Sequence, residues 1–230
     1  MLVNPLAESF FVVEGGYEYI KMLFDLGYSG CKSIDDADVV MFTGGEDVSP
    51  EYYNEQALQG CIHNLWRDRK EKTIFEECVE KKKPMVGICR GGQFLNVMNG
   101  GKMLQHVNNH AGNHLMIEHF DKPAKGAKKP EPRTFDVTST HHQMMRPSAD
   151  GVVLAYGITE SGKPLATCRA TYGEEIEGNK GKGLMDVEVV WYPDTSSLCF
   201  QPHPEHRTAP KECLDYFNEL LQSHILPFIA

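Results

Sequence analysis

The chain of 230 residues contains no long apolar run and no basic start leading into an apolar core. Neither membrane insertion nor export is therefore signalled. Basic residues are in deficit: 23 Lys and Arg face 32 Asp and Glu, for a formal net charge of -9. A surface for nucleic acid, which needs clustered cations, is not expected. No Cys-x-x-Cys pair occurs among the seven cysteines Cys31, Cys61, Cys78, Cys89, Cys168, Cys199 and Cys213. Their odd number and wide scatter speak against a disulfide framework, and a reducing cytoplasm is the default location. No internal repeat is present.

What remains, 41% hydrophobic and 24% charged residues, is ordinary for a globular protein, and residues 1–230 read most simply as one domain. Short apolar, β-branched runs at 10–13, 39–43 and 85–88 alternate with helical patterns, which predicts βα units and a mostly parallel sheet. Between 68 and 82, Ile74, Phe75, Cys78 and Val79 form a stripe at helical spacing that should face this sheet. The runs 135–139, 151–158, 186–192 and 198–200 predict a more β-rich second half. Residues 210–225 carry Cys213, Phe217, Leu220, Leu221 and His224 three or four apart, as a closing amphipathic helix does. Residues 108–133, rich in Lys and Pro, read as a solvated loop.

The most informative segment is Gly87-Ile88-Cys89-Arg90-Gly91-Gly92-Gln93, an apolar strand running through a Gly-flanked cysteine straight into a helix. A nucleophile on a sharp strand-to-helix turn needs neighbours without side chains, so that the helix can approach. This reading places the thiol exposed at the sheet's edge, where truncation to Ala should leave stability nearly unchanged. Helix N-terminal N–H groups favour a thiolate there. Each hydrogen bond to a developing oxyanion adds about 3 kcal/mol, and the Arg90 N–H is one such donor.

A cysteine nucleophile needs a base, and the base needs a carboxylate to orient it. Phe200-Gln201-Pro202-His203-Pro204-Glu205-His206 supplies both: a strand empties into a His held between prolines. His203 and Glu205 fit these roles better than His206. Thr43-Gly44-Gly45, after another apolar run, is a turn where backbone can approach a ligand; a plain strand-ending turn would use the same glycines.

The pairing of Gly87-Ile88-Cys89-Arg90-Gly91-Gly92-Gln93 with His203-Pro204-Glu205 resembles the class I glutamine amidotransferases, most closely their γ-glutamyl-amine hydrolase (peptidase C26) branch. Thr43-Gly44-Gly45-Glu46-Asp47-Val48-Ser49-Pro50 and His141-His142-Gln143 match further segments of that branch. The resemblance implies a flavodoxin-like three-layer α/β sandwich and a γ-glutamyl thioester on Cys89. It also implies a Cys89, His203, Glu205 triad, an oxyanion hole from Gly45 and Arg90, and a pocket lined by Gly44, Gln93, His141, His142 and Gln143. Two departures stand out. Many relatives carry an aromatic residue directly before the histidine, where Pro202 stands here, and residues 1–7 lack the usual apolar opening strand.

Arg67-Asp68 and Glu71 also resemble a family segment, although a capped helix with surface ion pairs accounts for them. His106, His110, His114 and His119, spaced by four, four and five, raise the idea of a metal site. Gly112 and the nearby asparagines interrupt any helix that could align them, so no metal and no cofactor is assigned. Packed or solvated histidines account for the spacing, with a histidine and Glu118 edging the substrate pocket as the alternative.

Three functions fit. The first is a free-standing amidohydrolase acting on glutamine or a γ-glutamyl amine. The second is a glutaminase subunit delivering ammonia to a separate synthetase, because the chain has no phosphate-binding Gly motif of its own. The third is a catalytically silent binding protein. The expected partner is a small γ-glutamyl substrate, without nucleic acid or membrane; a homodimer is left open.

Overall fold

The computed structural model describes residues 7–120, 131–177 and 185–229. The first half runs β1 (Ser9–Val13), α1 (Tyr17–Asp25), β2 (Ser29–Gly30), β3 (Val39–Phe42), α2 (Leu65–Glu80), β4 (Met85–Ile88) and α3 (Arg90–Met98). The second half continues with β5 (Lys102–Leu104), β6 (His106–Val107), β7 (His114–Glu118), β8 (Thr134–Val137) and β9 (Met144–Arg146). It closes with β10 (Val152–Ile158), β11 (Cys168–Thr171), β12 (Glu174–Glu177), β13 (Asp186–Tyr192), β14 (Ser197–Phe200) and α4 (Lys211–Leu220), which runs on into a π-helical turn, Leu221–Ile225.

Nine strands form one sheet in the order β2-β1-β3-β4-β14-β13-β10-β7-β8. From β2 to β14 all pairs are parallel; from β14 to β8 all are antiparallel. The expected parallel core is thus present, and part of the β-rich second half extends the same sheet, while its other strands pair in two small sheets, β12-β11-β6 and β5-β9.

Side-chain alternation along the core strands builds three layers, because successive residues of a strand point to opposite faces. Val39, Met41, Val86, Ile88, Leu198 and Phe200 join Met22 and Leu23 of α1 and Phe217 and Leu220 of α4 in one buried cluster. Val40, Phe42, Met85 and Cys199 join Phe75 and Cys78 of α2 and Phe94 and Leu95 of α3 in the other. Both faces are covered, which is why these strands read as continuous apolar runs.

Two expectations need correction. Val79 is exposed, so the buried stripe of α2 is Phe75 and Cys78 extended by the charged Asp68 and Glu71. Residues 108–133 are not a continuous loop: His114–Glu118 is a strand of the main sheet, its alternation hidden by polar residues that turn out to be buried. Within that span 121–130 lie outside the described residues, as do 1–6 at the start of the chain. Among the described residues no helix is long and apolar enough to cross a membrane, and all seven cysteines are free thiols.

Candidate active site

Three adjacent parallel strands, β3, β4 and β14, end on the same side of the sheet, where open α/β sheets hold their ligands. Thr43-Gly44-Gly45 follows β3, Cys89 follows β4 and Gln201-Pro202-His203 follows β14. A cleft of about 320 Å³ opens there, and Gly45, Cys89, Arg90, Gln93, His141, His142, Gln143 and His203 all line it. The structure therefore brings these sequence-predicted residues together.

Cys89 is the N-cap of α3 and holds φ 50°, ψ -111°, a conformation unfavourable for a residue with a side chain. Its N–H donates to the Phe200 carbonyl at 2.8 Å. The glycines make the turn sterically feasible. A Cβ on Gly87 would lie 2.3 Å from the Gly91 carbonyl carbon, and one on Gly91 would lie 2.2 Å from the Phe42 carbonyl oxygen. The thiol is not exposed at a sheet edge as expected: β4 is flanked by β3 and β14, and Cys89 is 8% accessible at the floor of the cleft.

His203 is fixed by its N–H to the Thr138 carbonyl at 2.9 Å. Its Nδ1 lies 2.7 Å from Glu205 Oε1, and its Nε2 lies 2.9 Å from Thr140 Oγ1. Burial pulls the imidazole pKa down, but hydrogen bonds with Cys89 and Glu205 outweigh it and raise the value to about 10. Gly44 lies close to both side chains: a Cβ there would come within 3.4 Å of His203 Cε1 and 3.8 Å of Cys89 Cβ. His206 points instead to Thr208.

Gly45, at φ 148°, leaves space that a Cβ would take from Arg67, 2.0 Å from its Nη1. Arg90 opens α3, where the first N–H groups have no acceptor within the helix. Gln93 Nε2 donates to Gln201 Oε1 at 3.2 Å and to the Gln143 carbonyl at 3.4 Å. His142 Nε2 pairs with Asp47 Oδ1 at 3.2 Å, a hydrogen bond that raises its pKa. His141 turns inward, its Nδ1 donating to the Gln143 carbonyl at 2.7 Å, and burial lowers its pKa.

The Arg67, Asp68 and Glu71 expectation is overturned in its surface part. Asn64 does cap α2, accepting from the Arg67 N–H at 3.2 Å. Asp68 and Glu71, however, are wholly buried against the Arg90 guanidinium, which burial and the neighbouring Arg67 bring down to about 10. Arg67 donates to Glu71 at 2.7 Å and to the carbonyls of Thr43 and Gly44 at 3.1 and 3.0 Å, while Asp68 accepts from the Ser49 N–H at 2.9 Å. One network thus ties the glycine turn to the elbow helix. Glu118 lies outside the cleft and pairs with Arg133.

Sequence reasoning missed Thr140, Asp47 and Tyr19. The Tyr19 hydroxyl accepts from the Gly44 N–H at 3.0 Å, and burial together with the Glu205 carboxylate raises its pKa. Thr140 and Asp47 stand on loops, where single residues carry no spacing signal, and Tyr19 lies on α1 with nothing local to tie it to the turn after β3; Asp47 alone was within reach, inside a segment already noted.

With this geometry in view, comparison with known proteins is direct. The peptidase C26 family pattern matches residues 28–160. The glutamine amidotransferase-like protein YvdE of Lactococcus lactis subsp. lactis is 32% identical over 169 residues, 68% of this chain and 66% of that protein. The γ-glutamyl-CDP-amidate hydrolase of Campylobacter jejuni is 31% identical over 96 residues, 41% of this chain and 42% of that protein. The chain thus spans less than two thirds of either relative's length. A crystal structure of a glutamine amidotransferase from Thermotoga maritima superposes with TM-score 0.55 at 12% identity, covering 94% of this chain and 82% of that one, and shows the shared fold. The chain belongs to the peptidase C26 family of class I glutamine amidotransferase-like proteins.

Proposed function

We propose that this chain hydrolyses a γ-glutamyl amide bond, of glutamine or of a γ-glutamyl amine, through a thioester on Cys89. The observation that carries the reading is a strained cysteine at a helix N-terminus, sharing a cleft with an imidazole whose far nitrogen lies 2.7 Å from Glu205. With its pKa raised to about 10 by hydrogen bonds with Cys89 and Glu205, against the pull of burial, His203 holds a proton to give to the leaving nitrogen.

The thiolate adds to the γ-carbonyl carbon, and the carbonyl electron pair moves onto oxygen, held by the N–H groups of Gly45 and Arg90. Collapse of this intermediate breaks the C–N bond, and the departing nitrogen takes the proton from His203 Nε2. Water then gives one proton to His203 as its oxygen attacks the thioester, and collapse restores the thiolate and releases the γ-carboxylic acid, which loses its remaining proton to solvent. Glu205 holds the imidazole throughout, and Thr140 steadies Nε2. Gly44, Gln93, His141, His142 and Gln143 shape the glutamyl pocket, and the Glu46 and Asp47 carboxylates in the lining suit an α-ammonium group.

We favour a free-standing hydrolase over a subunit of a synthetase, because this chain's own residues supply both the imidazole and the carboxylate that orients it at 2.7 Å. The same reading treats residues 1–230 as one domain, since a single sheet runs through both halves, and keeps a cytoplasmic location, with which seven free thiols agree. Purified protein is to be assayed for ammonia or amine release from glutamine and from γ-glutamyl amines. Release by the wild type, absent in Cys89→Ala, supports the proposal; release only after a partner is added supports the subunit reading; no release under either condition contradicts both.

A further inference from the structure

Glu188, in the middle of β13, is fully buried, and its Oε1 faces three imidazoles. His110 Nδ1 lies at 3.1 Å, His114 Nε2 at 3.1 Å and His141 Nε2 at 3.5 Å. His110 and His114 come from the approach to and start of β7, and His141 from the segment between β8 and β9. The sequence spacing that drew attention to His106 and His119 therefore named only half of the cluster. His106 is exposed near His142, and His119 packs on Tyr156.

The ring nitrogens can be assigned from their other partners. His141 Nδ1 lies 2.7 Å from the Gln143 carbonyl, and His114 Nδ1 lies 3.2 Å from the Gly112 carbonyl. A carbonyl oxygen only accepts, so both Nδ1 atoms carry hydrogen and donate it. In a neutral ring the opposite Nε2 is then a bare lone pair, and both of these lone pairs are aimed at a carboxylate oxygen, acceptor against acceptor. A proton on Glu188 would serve one ring at most. His110 can give its Nδ1 hydrogen to Glu188 as a neutral ring, so closing the remaining contacts with protons alone needs two adjacent buried imidazoliums, beside the Arg169 cation that pairs with Asp186. Burying so many like charges is costly.

We propose that His110, His141 and Glu188 form a zinc site, with His114 standing beside Glu188. A zinc ion with bonds of about 2.0 to 2.2 Å to nitrogen and oxygen sets tetrahedral ligand atoms roughly 3.3 to 3.5 Å apart. The observed separations from Glu188, 3.1 to 3.5 Å, match this spacing, and ligand atoms of His110, His141 and Glu188 all lie within 4.8 Å of one another. His141 Nε2 and Glu188 Oε2 are buried without a hydrogen-bond partner among the described residues. His141 and His114 also have acceptors for their remaining N–H, the Gln143 and Gly112 carbonyls, and Asp186 Oδ2 stands 3.5 Å from His110 Nε2, which makes no hydrogen bond among the described residues. Such outer partners orient metal-bound histidines.

His110, His141 and Glu188 are all buried, so the ion would serve there to hold segments of the fold together. Gly157 admits it: a Cβ there would sit 3.1 Å from Glu188 Oε1 and 3.4 Å from His110 Cε1. The ion would pin the 141–143 segment, one wall of the cleft, to β13 and β7, with Cys89 taking no part.

The test uses full-length protein made without a polyhistidine tag, in zinc-supplemented medium, and analysed by plasma mass spectrometry after dialysis. Wild type and His106→Gln should retain one zinc per chain, while His110→Gln and Glu188→Gln fall to about a tenth of that content or less. Should the variants fail to fold, wild type is stripped with a chelator and titrated with zinc chloride, and its melting temperature should rise by several degrees. Zinc-free wild type whose melting temperature ignores added zinc overturns the proposal, as does full retention in both cluster variants.

Discussion

Cys89 holds φ 50° with a side chain that only chemistry requires, and the fold bears the strain. Glycine tolerates positive φ, whereas alanine keeps the Cβ that conflicts with it. Cys89→Gly should therefore be about 1 to 2 kcal/mol more stable than Cys89→Ala in urea denaturation, with both variants inactive; equal stabilities would show that the elbow is unstrained. His203 carries a second residue-scale signature. Its folded pKa, raised to about 10, exceeds the ordinary value of about 6.5 for an unfolded histidine. The stabilisation this confers is fully present below pH about 6.5 and is lost as pH rises toward about 10. Thermal melts across that window should show the loss in wild type and not in His203→Gln; parallel curves would contradict the raised value. Cys89, His203 and Glu205 were legible in the sequence because each stands in a motif whose spacing follows from its chemistry. Thr140 and Tyr19 were not, since a loop and helix α1, both distant in sequence, deliver them to His203 and Gly44.

At the scale of elements, α2 shows how charge misleads. Arg67, Asp68 and Glu71 on a helix with charged neighbours read as a solvated face, and nothing local reveals that Arg90 of another helix reaches across to them. The result is a buried cluster that couples the turn after β3 to the start of α3. Arg90→Met keeps much of the stem but leaves two carboxylates buried and uncompensated. It should lower stability by about 3 to 5 kcal/mol in chemical denaturation, because breaking one side of a buried pair exposes the full desolvation cost of the other. A loss under about 1 kcal/mol would mean the carboxylates find water or protons instead. The strand β7 was hidden for a related reason: His114 and Glu118, polar residues at its ends, are buried.

Across the whole molecule, the parallel core was readable from runs apolar at every position, because both faces of β3, β4 and β14 are covered. The continuation of that sheet into four antiparallel strands was not readable, since pairing partners lie far apart in sequence: β14 inserts between β4 and β13. This interleaving leaves no seam along which the halves could part. Trp191 is 7% accessible in the main cluster, so its fluorescence and the far-ultraviolet circular dichroism should report one coincident urea transition. Separated transitions would divide the chain into independent units.

The central claim, that Cys89 is the nucleophile and His203 its proton partner, is tested most directly by covalent trapping. Protein incubated with an electrophilic glutamine analogue is digested and the adduct located by mass spectrometry. The account predicts a single adduct at Cys89, formed far more slowly in His203→Gln. Modification at Cys61 beside Gln143, whose thiol burial pushes up to about 11, or labelling of Cys89 at the same rate without His203, would contradict it.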